Sequence, residues 1–114
     1  MGQPVVHFEI KATDLDRSSK FYSDVFGWNI QPMPEMQYGM ADISERGING
    51  GLASNADHPG VVVYIEVPDL NKALEQVEKA GGKTLMEPVD IPGVVSFAQF
   101  QDPGGNVVGL VKGE

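Results

Sequence analysis

The chain has 114 residues, 41% of them hydrophobic and 21% charged, which is one domain's worth of a globular protein and not a disordered one. Sixteen acidic against eight basic residues leave a net charge of −8, so phosphate backbones and anionic lipid are repelled and neither nucleic acid nor membrane is an expected partner. There is no cysteine, which removes disulfides and thiolate chemistry and is compatible with a cytoplasmic location. No apolar run approaches membrane-spanning length, and the start MGQPVVHFEI has neither a signal-peptide pattern nor a myristoylation pattern.

Taken in order, the chain opens with a strand pattern, VVHFEI at 5–10. Thr13 and Asp14 then offer N-caps to a helix whose apolar residues are Leu15, Phe21, Tyr22, Val25 and Phe26, with Gly27 to end it. Three short strand-like runs follow at 28–32, 37–43 and 48–53, with a turn at 44–47. The Met-Pro-rich stretch 32–36 is expected as a loop, with a mobile flap as the other reading, and Trp28 as a packing residue. The small and polar stretch 54–60 reads as a linker, with His58 exposed in it.

The second half repeats the first. VVYIEV at 62–67 answers VVHFEI, with Val5, Val6 and Glu9 recurring as Val62, Val63 and Glu66, 57 residues on. Asp69 caps a helix marked by Leu70, Ala73, Leu74, Val77 and Ala80, and Gly81-Gly82 stops it. Strands are expected at 83–89, 94–101 and 106–111, the last two joined by the turn Asp102-Pro103-Gly104-Gly105. The unit is strand–helix–strand–strand–strand, twice, in a single domain 1–114 with modules at 4–53 and 61–112. Phosphate-cradling glycine loops are absent, and no nucleophile elbow surrounds Ser96.

The stretches FEIKATDLDRSSKFYSDVFGW (8–28), IEVPDLNKALEQVEKAGGK (65–83) and FQDPGGNVVGLV (100–111) resemble the vicinal oxygen chelate superfamily. That superfamily includes glyoxalase I, extradiol dioxygenases and the bleomycin and fosfomycin resistance proteins, and the short lactoylglutathione-lyase-related type is the most similar. The resemblance implies an α+β fold of two tandem βαβββ modules, a cupped, curved mixed sheet with helices outside, a small-ligand site in the cup, and a homodimer.

It also implies divalent-metal ligands: a His near the start of each module's first strand, and a carboxylate, His or Gln late in its last strand. Alkyl groups and glycine cannot supply such donors. In the second module the two positions read Val62 and Gly109, and in the first the last-strand position reads Gly51. The remaining one is His7 if counted from Asp14, or Val5 if aligned on the strand repeat, which pairs His7 with Tyr64 and is the preferred count. The usual metal site is therefore expected to be empty, and no cofactor is expected unless a divalent metal binds at a shifted set, His7, Glu9 and Glu66.

Strand alternation then puts His7 and Glu9 on one face and Tyr64 and Glu66 on its counterpart. Substrate-binding candidates are His7, Tyr64, Gly51, Gly109, Phe97 and Gln99, with Ala98 and Phe100 as the alternative face of that strand. The two glycines are expected to leave room for a small organic ligand. Glu66 and Glu9 are the candidate bases of a glyoxalase-like lyase or isomerase; otherwise they are rim or interface charges, and His7 a packing residue. A metal-independent small-molecule binder is the function expected first.

Overall fold

The computed structural model describes residues 2–43, 45–54 and 60–113; Ser44 of the expected turn, and 55–59 of the expected linker with His58, lie outside them. In chain order the elements are β1 (Val5–Ala12), α1 (Leu15–Phe26), β2 (Asn29–Met33), a 3-10 turn (Pro34–Met36), β3 (Tyr38–Asp42) and β4 (Gly50–Ser54). They continue with β5 (Gly60–Val67), α2 (Leu70–Lys79), β6 (Lys83–Ile91), β7 (Val95–Gln101) and β8 (Val107–Lys112). The order βαβββ occurs twice, as the repeat requires, and the class is α+β. No described helix is long and apolar enough to cross a membrane.

Two compact units result: residues 7–62, and residues from Val63 onward together with the start of the chain through Val6. In the first unit the strands run β2-β3-β4-β1, with β1 and β4 parallel and the other pairs antiparallel. In the second they run β5-β8-β7-β6, with β5 and β8 parallel. The outermost strands, β2 and β6, carry Pro32 and Pro88. Proline has no N–H to give a ladder, and the β6 register shifts between Thr84 and Met86 and again between Met86 and Val89.

Each helix starts on an aspartate that accepts a backbone N–H left over by the first turn: Arg17 N–H to Asp14 at 3.1 Å, and Lys72 N–H to Asp69 at 3.0 Å. Gly27 ends α1 at φ 71, in the left-handed conformation that a side chain disfavours. Residues 32–36 are not loop throughout. Pro32 and Met33 finish β2, and one 3-10 turn with Gln37 at φ 49 carries the chain into β3.

The two helices pack differently. α2 buries Leu70 and Leu74 against Val67, Ala98 and Leu110, the core of the second unit. α1 buries none of its residues. At 3.6 residues per turn the line through Leu15 runs along Ser18, Ser19, Tyr22 and Ser23, all half-buried. Phe21 and Val25 fall beside that line and Phe26 at its end, and they stay 53%, 57% and 60% exposed, which corrects the expectation of one apolar buried face. Tyr22 stacks on Trp28 at 4.9 Å, and Trp28 tilts against Phe8 at 5.4 Å, so the aromatic residues tie the end of α1 to β1.

This difference in packing is measurable. Leu74→Ala is expected to destabilise by about 2 to 5 kcal/mol, because a buried side chain leaves a cavity. Phe21→Ala is expected to cost about 1 kcal/mol or less, since it loses only ring contacts at the surface. Urea denaturation of both variants tests this, and equal losses would contradict the packing described.

Candidate functional site

On β1, His7, Glu9 and Lys11 share one face, while Phe8, Ile10 and Ala12 share the face that α1 covers. Glu9 stands opposite Gly51 of β4, and Gly51 stands opposite Met40 of β3. Tyr38, two residues before Met40, projects from that same face. Its ring leans diagonally over Gly51, and its hydroxyl lies 2.9 Å from His7 Nε2. A Cβ built on Gly51 would collide with the Tyr38 ring and hydroxyl. Glycine at 51 thus lets a side chain of β3 cross β4 and bond to β1, and it gathers His7, Tyr38 and Glu9 on one face of the first unit.

The second unit repeats the device with other partners. Tyr64 and Gln99 both stand opposite Gly109, from β5 and β7 on either side of β8. The Tyr64 ring lies over Gly109, where a Cβ would collide with it, and Gln99 Nε2 donates to the Tyr64 hydroxyl at 2.9 Å. Phe97 meets Tyr64 edge-on at 6.4 Å. The face of β7 is thereby decided: Phe97 and Gln99 accompany Tyr64, while Ala98 and Phe100 pack in the α2 core. Glu66 stands opposite Val111, and its N–H bonds to the Pro4 carbonyl at 2.8 Å.

Two expectations are corrected. The glycine positions do not leave open room, because the Tyr38 and Tyr64 rings fill the space above Gly51 and Gly109. The pairing of His7 with Tyr64 also fails. Glu9 opposite Gly51 and Ile10 opposite Leu52 match Tyr64 opposite Gly109 and Ile65 opposite Leu110, and the helix caps Asp14 and Asp69 are likewise 55 residues apart. Glu9 is therefore the counterpart of Tyr64, His7 of Val62, and Lys11 of Glu66. β1 continues to Ala12, so the stretch that looked like a lengthened connection is strand.

Burial shifts the titration of two members of the first group. It holds the His7 imidazole below its ordinary pKa, favouring the neutral ring. It pushes the Glu9 carboxyl above the usual glutamate range, with the nearby Lys11 charge opposing the shift in part. The donors do not suit a divalent metal. Val62 is a buried alkyl group, Gly51 and Gly109 lie under tyrosine rings, and His7 Nε2 is engaged by a phenol. His7 and Glu9 belong to one unit and Glu66 to the other, and among the described residues no three His, Asp or Glu side chains gather as a metal site. An open groove of about 340 Å³ lies elsewhere, between the start of α2 and Asp90, Ser96 and Lys112, and contains none of the expected site residues.

A family model described as bleomycin resistance protein-like N-terminal matches residues 5–44. A glyoxylase-like domain-containing protein of Didymella fabae is 38% identical over 108 residues, covering 86% of this chain and 84% of its relative. Other curated relatives are longer, and the chain spans 42% to 44% of their length. Among solved structures, methylmalonyl-CoA epimerase from Mycobacterium tuberculosis matches with a TM-score of 0.71 at 17% identity, over 96% of this chain and 87% of that one. A glyoxalase/bleomycin resistance protein/dioxygenase superfamily member from Vibrio splendidus 12B01 matches with a TM-score of 0.70 at 19% identity, over 98% of this chain and 100% of that one. These two structures share the fold.

Gly51→Ala is expected to destabilise by about 1 to 3 kcal/mol through overpacking, and less when combined with Tyr38→Ala, which removes the obstructing ring. Chemical denaturation of the single and double variants reads the coupling, and additive effects would contradict the stacking of Tyr38 on Gly51. The titrations predict opposite pH slopes. Between the ordinary glutamate value of 4.5 and the raised one, Glu9 makes the folded state bind more protons than the unfolded state, so it lowers stability as pH rises through that window. Below the ordinary histidine value of 6.5, His7 makes the unfolded state bind more, so stability falls as pH drops toward its lowered value. Glu9→Gln is therefore expected to raise Tm at pH 7 and to leave it unchanged near pH 4, as thermal melts across pH would show.

Proposed function

The chain belongs to the glyoxalase/bleomycin resistance/dioxygenase superfamily, and on that footing we propose that it binds a small organic molecule on the open face of its first module, without a resident metal. The observation that carries the reading is the convergence of His7, Tyr38 and Glu9 around Gly51. Few polar groups set on a half-buried, partly aromatic face suit orientation of a small ligand. The net charge of −8 and the Glu9 carboxyl favour a neutral or cationic molecule over a polyanion. In the second unit Phe97 and Gln99 are half-buried over the buried Tyr64 and offer a further aromatic and amide group.

A second reading is an isomerase or lyase that moves a proton beside a carbonyl. It is supported by Glu9, whose raised pKa brings it nearer the working range of a general base, and which stands across the ladder from the glycine under Tyr38. The position beside Tyr38 and His7 favours Glu9 over Glu66 for that role.

Metal content of protein purified without a metal-affinity tag tests the first reading, before and after incubation with Ni, Zn, Mn and Fe. No stoichiometric metal is expected. About one equivalent, lost in His7→Ala, would overturn the metal-free reading. In a thermal-shift screen of small aromatic and carbonyl compounds, a neutral or cationic compound is expected to raise Tm in proportion to its saturation, and less in His7→Ala. A screen in which only polyanions stabilise the protein would contradict the ligand class.

A further inference from the structure

We infer that the groove beside the start of α2 binds a free α-amino acid with an apolar side chain, its carboxylate on Lys112 and its ammonium on Asp90. The site lies wholly in the second unit, apart from His7, Tyr38 and Glu9, and does not depend on the reading of the first-module face.

The groove begins where the core of the second unit stops. On the face that α2 covers, Ala98 stands opposite Leu110, and both pack with Leu70 and Leu74 of the helix. Two residues along, the same face carries Ser96 on β7 and Lys112 on β8, and Asp90 stands opposite Ser96 on β6. Polar side chains therefore form a row across three strands beside the first turn of α2. Between that row and the turn lies an open space of about 340 Å³.

Charges of both signs line this space without neutralising each other. The Asp69 carboxylate is spent on the α2 cap, where it accepts the Lys72 N–H at 3.0 Å. Asp90 accepts the Ser96 hydroxyl through Oδ1 at 2.6 Å, and no other bond among the described residues takes its Oδ2. Among the described residues no carboxylate pairs with Lys112. Strand side chains rise side by side from the sheet, so two strand spacings hold the roots of Asp90 and Lys112 about 10 Å apart. An α-amino acid spans that gap, with its two charges about 3 Å apart and a hydrogen bond of about 3 Å at either end. A simple ion would meet one side of the groove and leave the other charge unmet. Pro68, Pro88 and Val89 add apolar lining for the ligand's side chain. A zwitterion carries no net charge, so the protein's −8 does not repel it.

The test is amide NMR of the isotope-labelled full chain, titrated with L-leucine, 4-methylpentanoate and isoamylamine. The last two keep the side chain of leucine and lack its ammonium or its carboxylate. L-Leucine is expected to shift the signals of Asn71, Asp90, Ser96 and Lys112 in a saturable way and to leave those of His7 and Gly51 in place. Lys112→Gln and Asp90→Asn are each expected to weaken leucine binding by about tenfold or more, since each removes a bond to a charged group. Both residues are exposed, so the fold is retained, and the new amide of Asp90→Asn still accepts from Ser96. No saturable shift with leucine overturns the site. Equally tight binding of either single-charge probe overturns recognition by two charges, and unchanged affinity in both variants overturns the assigned roles. Shifts confined to His7, Gly51 and their neighbours overturn this site and leave the first-module reading standing.

Discussion

A tyrosine ring can cross a β-strand only where that strand has no side chain on the shared face. Gly51 and Gly109 meet this condition on β4 and β8, and each is covered by a ring, Tyr38 from β3 in one case and Tyr64 from β5 in the other. The hydrogen bonds that give each face its chemistry follow from that crossing. Without it Tyr38 could not reach His7 on the far strand, nor Tyr64 reach Gln99. In both modules the space over the glycine is taken by a phenol held by an imidazole or an amide.

The two tyrosines do not end in equivalent surroundings. Tyr64 is buried, braced by Phe97 and satisfied by a neutral amide, an arrangement that stiffens the second unit beside its Leu70–Leu74–Leu110 core. Tyr38 is half-buried, paired with an ionisable ring, and flanked by a carboxyl that burial pushes toward its neutral form. In a partly desolvated setting a hydrogen bond is electrostatically stronger and an ionisable group is easier to tip between states. One tyrosine is thus held among neutral groups and the other beside ionisable ones, although both modules carry the same repeated pattern.

Much of this fold was legible from residues alone. Asp14, Gly27 and Asp69 mark helix ends by chemistry that is local, and the alternation in VVHFEI and VVYIEV fixes which side chains share a face. Contacts that cross strands were not legible. Tyr38 sits in a short run next to a proline-rich stretch, and nothing near it in sequence announces that its hydroxyl reaches His7. The only trace is a glycine pair, Gly50-Gly51, within a strand, where glycine is otherwise disfavoured. The repeat itself misled by two residues, because VV and E recur in both strands while the ladder and the caps obey a different spacing. On α1, Phe21 and Val25 looked like a core stripe, but serines occupy the line that meets the sheet.

The prolines on β2 and β6 have a bearing on how anything can be recognised. A peptide that adds itself to a sheet as an extra strand needs an unbroken row of main-chain donors and acceptors at the margin. Pro32 removes one donor from β2, and two register breaks, one of them spanning Pro88, put β6 out of step. Strand addition is discouraged at both margins, which also guards against edge-to-edge aggregation. Recognition through main-chain pairing is thus disfavoured at these two strands, whereas side-chain contacts carry no such penalty.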